Sequence, residues 1–337
     1  MRTRPLGSTG LQVSAIGLGC MGMSDLYGPA DEAESVATIH AALDAGITLL
    51  DTGDFYGMGA NEMLLHKALR GRAREQFVLS VKFGAMRDPD GQWVGYDARP
   101  AAVKTFLAYT LRRLGTEYVD IYRPARVDPA VPIEETVGAI ADMIEAGYVR
   151  QVGLSEAGAE TLRRAHAVHP IADLQIEYSL LSRGIEAEIL PACRQLGVGV
   201  TAYGVLTRGL LSGHWSRERA GAPQDFRSRS PRFSGENLDR NLALVEALRA
   251  IAEARGATVA QVAIGWVLSR GTDIVPLIGA RRRDRLSESL AALDLDLTAD
   301  DLARIERAVP AGAAAGDRYD ARQMAMLDSE RGRSAAS

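Results

Sequence analysis

The chain has 337 residues, 47% hydrophobic and 24% charged, which supplies a full core and excludes disordered, collagenous or low-complexity architecture for most of its length. Its 39 Lys and Arg against 43 Asp and Glu leave a net charge of −4, no electrostatic footprint for a nucleic-acid partner. The length allows two ordinary domains or one large α/β barrel. Cys20 and Cys193 form no closely spaced pair, and the five histidines show no metal-ligand spacing. Neither a disulfide scaffold nor a metal site is expected, and the expected compartment is the reducing cytoplasm. The first 20 residues lack the apolar stretch of a secretory leader, and no run reaches the roughly 18 apolar residues of a membrane span.

In chain order, a strand-like run at 13–18 leads to a helix over 31–44, with Asp31 as N-cap and Gly46 as stop. Strands at 47–51 and 76–82 frame a helix over 61–69. Strands at 118–122, 149–154, 173–176 and 198–202 alternate with helices over 101–114, 133–145, 159–168 and 185–196, most of them ending at Gly or Pro. Residues 204–240, rich in Gly, Ser, Pro and Arg and including Arg219, read as a long loop of functional character. A helix over 242–255 and a strand over 273–276 follow. Eight strand–helix units without a linker predict one (β/α)8 TIM barrel over residues 1–310. Residues 311–337 form a tail whose last several residues are expected to be disordered.

Gly17-Leu18-Gly19-Cys20-Met21-Gly22 matches the G-x-G-x-x-G dinucleotide fingerprint, but that motif requires a helix to open at once. Residues 23–29 intervene, so the match reads as a glycine-rich turn at the end of the first barrel strand.

Catalytic groups of such barrels come from the C-terminal ends of several strands. The second strand ends in Asp51-Thr52-Gly53-Asp54-Phe55-Tyr56-Gly57 and the third in Lys82-Phe83-Gly84. Neighbouring strands lie about 4.8 Å apart, which lets Asp51, Tyr56 and Lys82 converge. An ammonium near a phenol lowers its pKa by roughly 1–3 units, and Asp51 offers the counter-charge a buried Lys needs. The trio suits a tuned tyrosine acid that protonates a carbonyl oxygen as hydride reaches carbon.

The segments Gly7–Ser14, Asp51–Gly57, Lys82, Val152-Gly153-Leu154-Ser155, Gln175-Ile176-Glu177-Tyr178-Ser179, Ala202-Tyr203-Gly204 and Val275–Gly279 followed by Arg281 run almost end to end. Together they make the chain resemble an aldo-keto reductase over about residues 3–310. The resemblance implies an N-terminal hairpin, a barrel that binds NADPH across its mouth, and a long loop over the cofactor. It implies Tyr56 as general acid, with Lys82 and Asp51 tuning it. Gly19, Met21 and Asp51 would border the cofactor, Ser155 and Gln175 would hold the nicotinamide carboxamide, and Tyr203 would stack on the ring. Gly204, Leu206 and Arg208 would cover the pyrophosphate. Gly279, Arg281, Arg285, Glu288 and Ser289 would form the adenosine-phosphate pocket, the two guanidinium forks clamping a 2′-phosphate.

Two positions depart from the family pattern. In Tyr122-Arg123-Pro124-Ala125-Arg126-Val127-Asp128, Ala125 stands where the family has a His that polarises the substrate carbonyl, and Ser289 stands where Asn is common. Arg126 or Arg123 is the candidate to compensate. Tyr27, Phe55, Trp93, Ala125 and Arg126 are the expected pocket wall. The expected activity is NADPH-dependent reduction of an aldehyde or ketone. An NADPH-binding regulatory or redox-sensing subunit with little turnover, or a C=C reductase, is the alternative that Ala125 raises. Substrate identity and oligomeric state stay open.

Overall fold

The computed structural model describes residues 1–24, 26–217 and 225–331. β1 (Thr3–Pro5) and β2 (Gln12–Ser14) pair antiparallel with Arg4 opposite Val13. This hairpin caps the bottom of a closed parallel barrel, burying Leu6 and Val13 against Leu49, Val78, Ile121 and Val275. Arg4 pins it there by donating to the carbonyls of Gly271 at 2.8 Å and Ile274 at 2.6 Å.

The barrel strands are β3 (Gly17–Gly19), β4 (Leu49–Gly53), β5 (Val78–Phe83), β8 (Val119–Pro124), β9 (Val149–Ser155), β10 (Ile171–Glu177), β11 (Gly199–Tyr203) and β12 (Ile274–Gly279), in that order around the ring. Nearly every strand residue is buried, as parallel strands covered by helices require. A second hairpin, β6 (Ala85–Arg87) with β7 (Trp93–Tyr96), rises from the mouth after β5.

The strand expected at 13–18 is in fact two. Ser14 accepts from Thr48 N at 2.9 Å and donates to Ile16 O at 2.7 Å. That corner turns the chain from hairpin into barrel, so one apolar run serves two sheets. The outer helices are α1 (Glu32–Asp44), α2 (Ala60–Leu69), α3 (Pro100–Leu114), α4 (Ile133–Glu145), α5 (Ala159–Val168), α6 (Ile189–Leu196), α7 (Gly235–Ala254), α8 (Val259–Ser269), α9 (Arg283–Leu290), α10 (Ala299–Ala308) and α11 (Ala321–Ala325). Asp31 caps α1 by accepting from Glu34 N at 2.7 Å. α8 escapes the sequence reading because it is apolar on nearly every side and so carries no amphipathic period.

The polar stretch 204–240 is not structureless. It holds 3-10 turns at Thr207–Ser212, Phe226–Arg229 and Pro231–Phe233, and α7 begins at Gly235 rather than 242. Buried arginines do this: Arg232 donates to Leu181 O and Ser182 Oγ, both at 2.8 Å. Residues 218–224, Arg219 among them, lie outside the described residues. The tail returns across the mouth, anchored where Asn241 exchanges hydrogen bonds with the Ala315 backbone at 2.9 Å. The final residues expected to be disordered, 332–337, also lie outside the described residues. Among the described residues no helix is long and apolar enough to cross a membrane.

Candidate active site

The register sets the floor of the mouth. Asp51 on β4 lies opposite Ser80 on β5 and Gly19 on β3, and Lys82 lies opposite Gly53. Asp51 Oδ1 pairs with Lys82 Nζ, while Oδ2 accepts from Ser80 Oγ at 2.9 Å and Gln175 Nε2 at 2.6 Å. Both ions of the pair are almost fully buried, at 5% and 3% side-chain exposure. Burial pushes the Lys82 ammonium below its ordinary pKa, Asp51 pulls it back up, and Arg123 adds to the lowering.

Tyr56 follows β4 in a 3-10 turn whose Gly57 and Met58 have φ of 55° and 54°. The Met58 value is left-handed backbone that a non-glycine residue adopts only under constraint. Just after this turn, Asn61 ties the start of α2 to the mouth, accepting from Thr52 Oγ1 at 2.7 Å and donating to Cys20 O at 2.9 Å and Ser24 Oγ at 2.7 Å. Lys82 Nζ sits 5.2 Å from the Tyr56 ring centroid. The phenol nevertheless lies well above its ordinary pKa, not below it: burial dominates, Asp51 adds to it, and Arg126 opposes them. The expected lowering by Lys82 gives way because Asp51 already spends that charge. Tyr56 is therefore a neutral O–H donor at physiological pH.

Phe55 meets Tyr56 edge-on at 4.7 Å and Trp93 at 5.7 Å, and Arg87 lies 4.2 Å over the Trp93 ring. These make an aromatic wall, with Trp93 41% exposed at its rim. Tyr27 stands apart, packed edge-on against Phe226 at 5.5 Å and under Arg227. Ala125 is buried, and no side chain beyond its Cβ enters the site. Arg123 drops into the barrel interior, paired with Asp173 at 3.0 Å and donating to Ser80 Oγ at 2.8 Å. It cannot reach a substrate. Arg126 stays at the mouth, donating to Ala125 O at 2.6 Å and to Tyr319 Oη at 3.4 Å.

The residues expected to hold the cofactor sit at the ends of β3, β9, β10, β11 and β12 or on the segments that follow them. Gly19 ends β3, and Met21 lies in the 3-10 turn Met21–Met23. Ser155 and Gln175 are opposite one another on β9 and β10. Ser155 Oγ is buried with no hydrogen-bond partner among the described residues, a free donor and acceptor that fits a carboxamide. After Tyr203, a turn with left-handed φ at Gly204 (66°), Thr207 (47°), Arg208 (57°) and Gly209 (98°), with Leu206 inside it, forms a cradle. Gly279 ends β12 with open space where a Cβ would sit. On the rim, Arg281 donates to the carbonyls of Tyr27, Gly28 and Pro29 at 3.1–3.3 Å. Arg285 pairs with Glu288 at 3.0 Å, and Ser289 turns its hydroxyl back to Arg285 O at 2.9 Å. The residues expected at the adenosine end thus gather around α9, held by one another and by the 27–29 backbone.

A buried cluster that the sequence did not announce lies between the strands and the tail. Glu156, itself at φ 53°, accepts from Tyr203 Oη at 2.7 Å and from both Arg318 Nη atoms, at 2.8 and 2.5 Å. Burial alone would raise its pKa, but the Arg318 guanidinium holds it far below the carboxylate range. Arg208 binds Arg318 O and lies 4.1 Å over the Tyr319 ring, and Tyr319 Oη is 3.0 Å from Tyr203 Oη. The one clue in the sequence was an acid directly after Ser155. Its partner lies 162 residues away. Among the described residues no cluster of His, Cys, Asp and Glu is arranged to hold a metal.

The profile of the Aldo/keto reductase family matches residues 15–310. The chain is 43% identical over 317 residues to "Probable aldo-keto reductase 1" of Glycine max, covering 93% of this chain and 90% of that one. The structure of the glycerol dehydrogenase from Gluconobacter oxydans is similar at a TM-score of 0.82 and 30% identity, with 91% and 94% of the two chains covered. A thermostable aldo-keto reductase in complex with the inhibitor epalrestat is similar at 0.73 and 27% identity, with 91% and 100% covered. The chain belongs to the aldo/keto reductase family, oxidoreductases that in general reduce carbonyls with NAD(P)H.

Proposed function

We propose that this chain reduces an aldehyde or ketone to an alcohol with NADPH, Tyr56 acting as the general acid. The observation that carries the reading is the Asp51 hub: one buried carboxylate holds Lys82, Ser80 and Gln175 under a phenol kept protonated by its surroundings. Bound NADPH supplies a hydride for the carbonyl carbon. Ser155 and Gln175 would hold its carboxamide, and Tyr203 would lie against the ring. The Gly204–Arg208 turn, with Leu206, would cover the pyrophosphate, with Gly19 and Met21 on the opposite edge. Gly279, Glu288 and Ser289 would border the adenosine. Arg281 and Arg285, both able to offer a guanidinium fork to a 2′-phosphate, favour NADPH over NADH. As charge grows on the carbonyl oxygen, Tyr56 donates its proton there, with Lys82 held beneath its ring by Asp51. Phe55 and Trp93 shield the reacting carbon from water. Residues 1–310 act as the catalytic unit in this reading, in the cytoplasm, with 311–337 as an accessory tail.

Steady-state NADPH oxidation over a panel of aldehydes and ketones tests it. Tyr56→Phe is expected to lose roughly 10²–10⁴ in kcat, and a variant as active as wild type removes Tyr56 as the acid. Tight NADPH binding with no turnover on any carbonyl would support the regulatory alternative that Ala125 raises. Turnover confined to activated alkenes would support a C=C reductase.

A further inference from the structure

Resting on that reading, we propose that Arg126 is a catalytic residue that takes the place of the missing imidazole, donating from Nη2 to the substrate carbonyl oxygen opposite Tyr56. An active site that generates an alkoxide gains about 10²–10³ in rate from a second preorganised donor, and Ala125 offers none.

The cations around Tyr56 divide by what already neutralises them. Lys82 is committed to Asp51, and Arg123 to Asp173 and Ser80 beneath the floor. Arg208, Arg232 and Arg318 share Glu177, and Arg318 also takes Glu156 and Glu330. Arg126 differs. Among the described residues it has no carboxylate oxygen within 4.0 Å. One fork atom is tethered to the backbone carbonyl of Ala125 at 2.6 Å, which holds the guanidinium at the mouth. The other has only a long 3.4 Å contact to Tyr319 Oη, one that an incoming carbonyl oxygen would replace with a shorter, charge-assisted bond.

The surroundings keep this cation charged. Burial works against it, but the nearby Glu156 carboxylate favours the charged form, and an arginine keeps its proton at physiological pH. In the step itself, hydride from the reduced nicotinamide forms the new C–H bond, and the carbonyl π pair moves onto oxygen. Arg126 holds that oxygen without giving up a proton. Tyr56 transfers its proton to give the alcohol, and solvent later restores the phenol. The nicotinamide is oxidised and the carbonyl reduced, so charge and electrons balance.

The test pairs 4-nitrobenzaldehyde, neutral, with 4-carboxybenzaldehyde, anionic, on the full-length protein. Arg126→Met is expected to lower kcat by about 10²–10³ for both substrates alike. Arg126→Lys, which keeps the charge but not the fork, is expected to retain part of it, and Ala125→His in the Arg126→Met background to recover most. A second readout is independent of turnover: with NADP+ bound, the carbonyl stretch of bound 4-nitrobenzaldehyde, read by Raman difference spectroscopy, lies below its solution value in wild type and returns towards it in Arg126→Met. A merely structural arginine would not move that band. The proposal is overturned if Arg126→Met keeps wild-type kcat and band position while Tyr56→Phe is inactive. It is equally overturned if only KM for the anionic substrate rises, which would make Arg126 a carboxylate anchor. An active Tyr56→Phe would instead overturn the reading on which the proposal rests.

Discussion

The arginines at the barrel mouth and those on its rim do opposite work for the fold. At the mouth, Arg318 is 7% exposed and meets Glu156, which is fully buried, so the pair was taken out of water when the chain folded. On the rim, Arg282 and Arg283 are 65% and 62% exposed, and their partners Asp284 and Glu34 are themselves partly in solvent. A buried pair is expensive to break because the survivor is stranded in low dielectric, whereas an exposed pair contributes little. The inner set therefore fixes the geometry of the tail and of Tyr203, and the rim pairs can be broken at little cost to the fold.

The largest effect expected from this contrast is on Arg318. Arg318→Met leaves Glu156 charged, buried and without its main partner, and should cost roughly 3–5 kcal/mol in urea unfolding. The double variant Glu156→Gln/Arg318→Met should recover most of that loss. A single Arg318→Met as stable as wild type would show that the tail is not held by this pair. The same measurement carries a pH signature. Because Glu156 is held below its ordinary range in the folded chain, its share of stability is present above the unfolded value of about 4.3 and lost as pH falls.

How legible all this was in the sequence follows from the range of each interaction. The eight barrel strands were readable because helices with local glycine stops punctuate them, and the meeting of Asp51 with Lys82 was readable because both sit near strand ends. α8 was not, since full burial erases its period, and the corner at Ser14 depends on Thr48, a contact across the sheet. Arg318 and Tyr319 lie in a tail whose small and charged residues look solvated in isolation. Only the folded barrel brings Glu156 and Arg208 to them.

A second test asks whether a buried acid without a cation behaves oppositely. Asp54 sits in the same mouth, 8% exposed, with Oδ1 lacking a hydrogen-bond partner among the described residues. Burial and the neighbouring Glu62 push its carboxyl up to about 8. A folded pKa above the unfolded value of about 3.9 means the folded state holds the extra proton. Stability from this group is thus fully present below pH ~4 and declines as pH rises, by up to about 1.4 kcal/mol per pH unit, levelling off once the folded pKa is passed. Asp54→Asn should flatten that decline in melts recorded between pH 5 and 9. An unchanged slope would mean that Asp54 is not the group responsible.

The smallest effect on the fold, and the most selective one on the ligand, is expected at the rim. Arg285 is 45% exposed and bonded to Glu288 at its own helix end, so Arg285→Ala should leave the melting temperature within about a degree, as surface substitutions usually do. Arg281 is a mixed case, because its three bonds to the carbonyls of Tyr27, Gly28 and Pro29 tie down a loop. Arg281→Ala should lower the melting temperature more than Arg285→Ala while staying far short of Arg318→Met. In NADPH titrations each variant should weaken binding by about 10–100-fold, the value of one charge-assisted phosphate contact, and that loss should shrink as salt rises. NADH affinity should be untouched, since it lacks the 2′-phosphate. If both cofactors weaken equally, the rim arginines are holding the loop and not reading the phosphate.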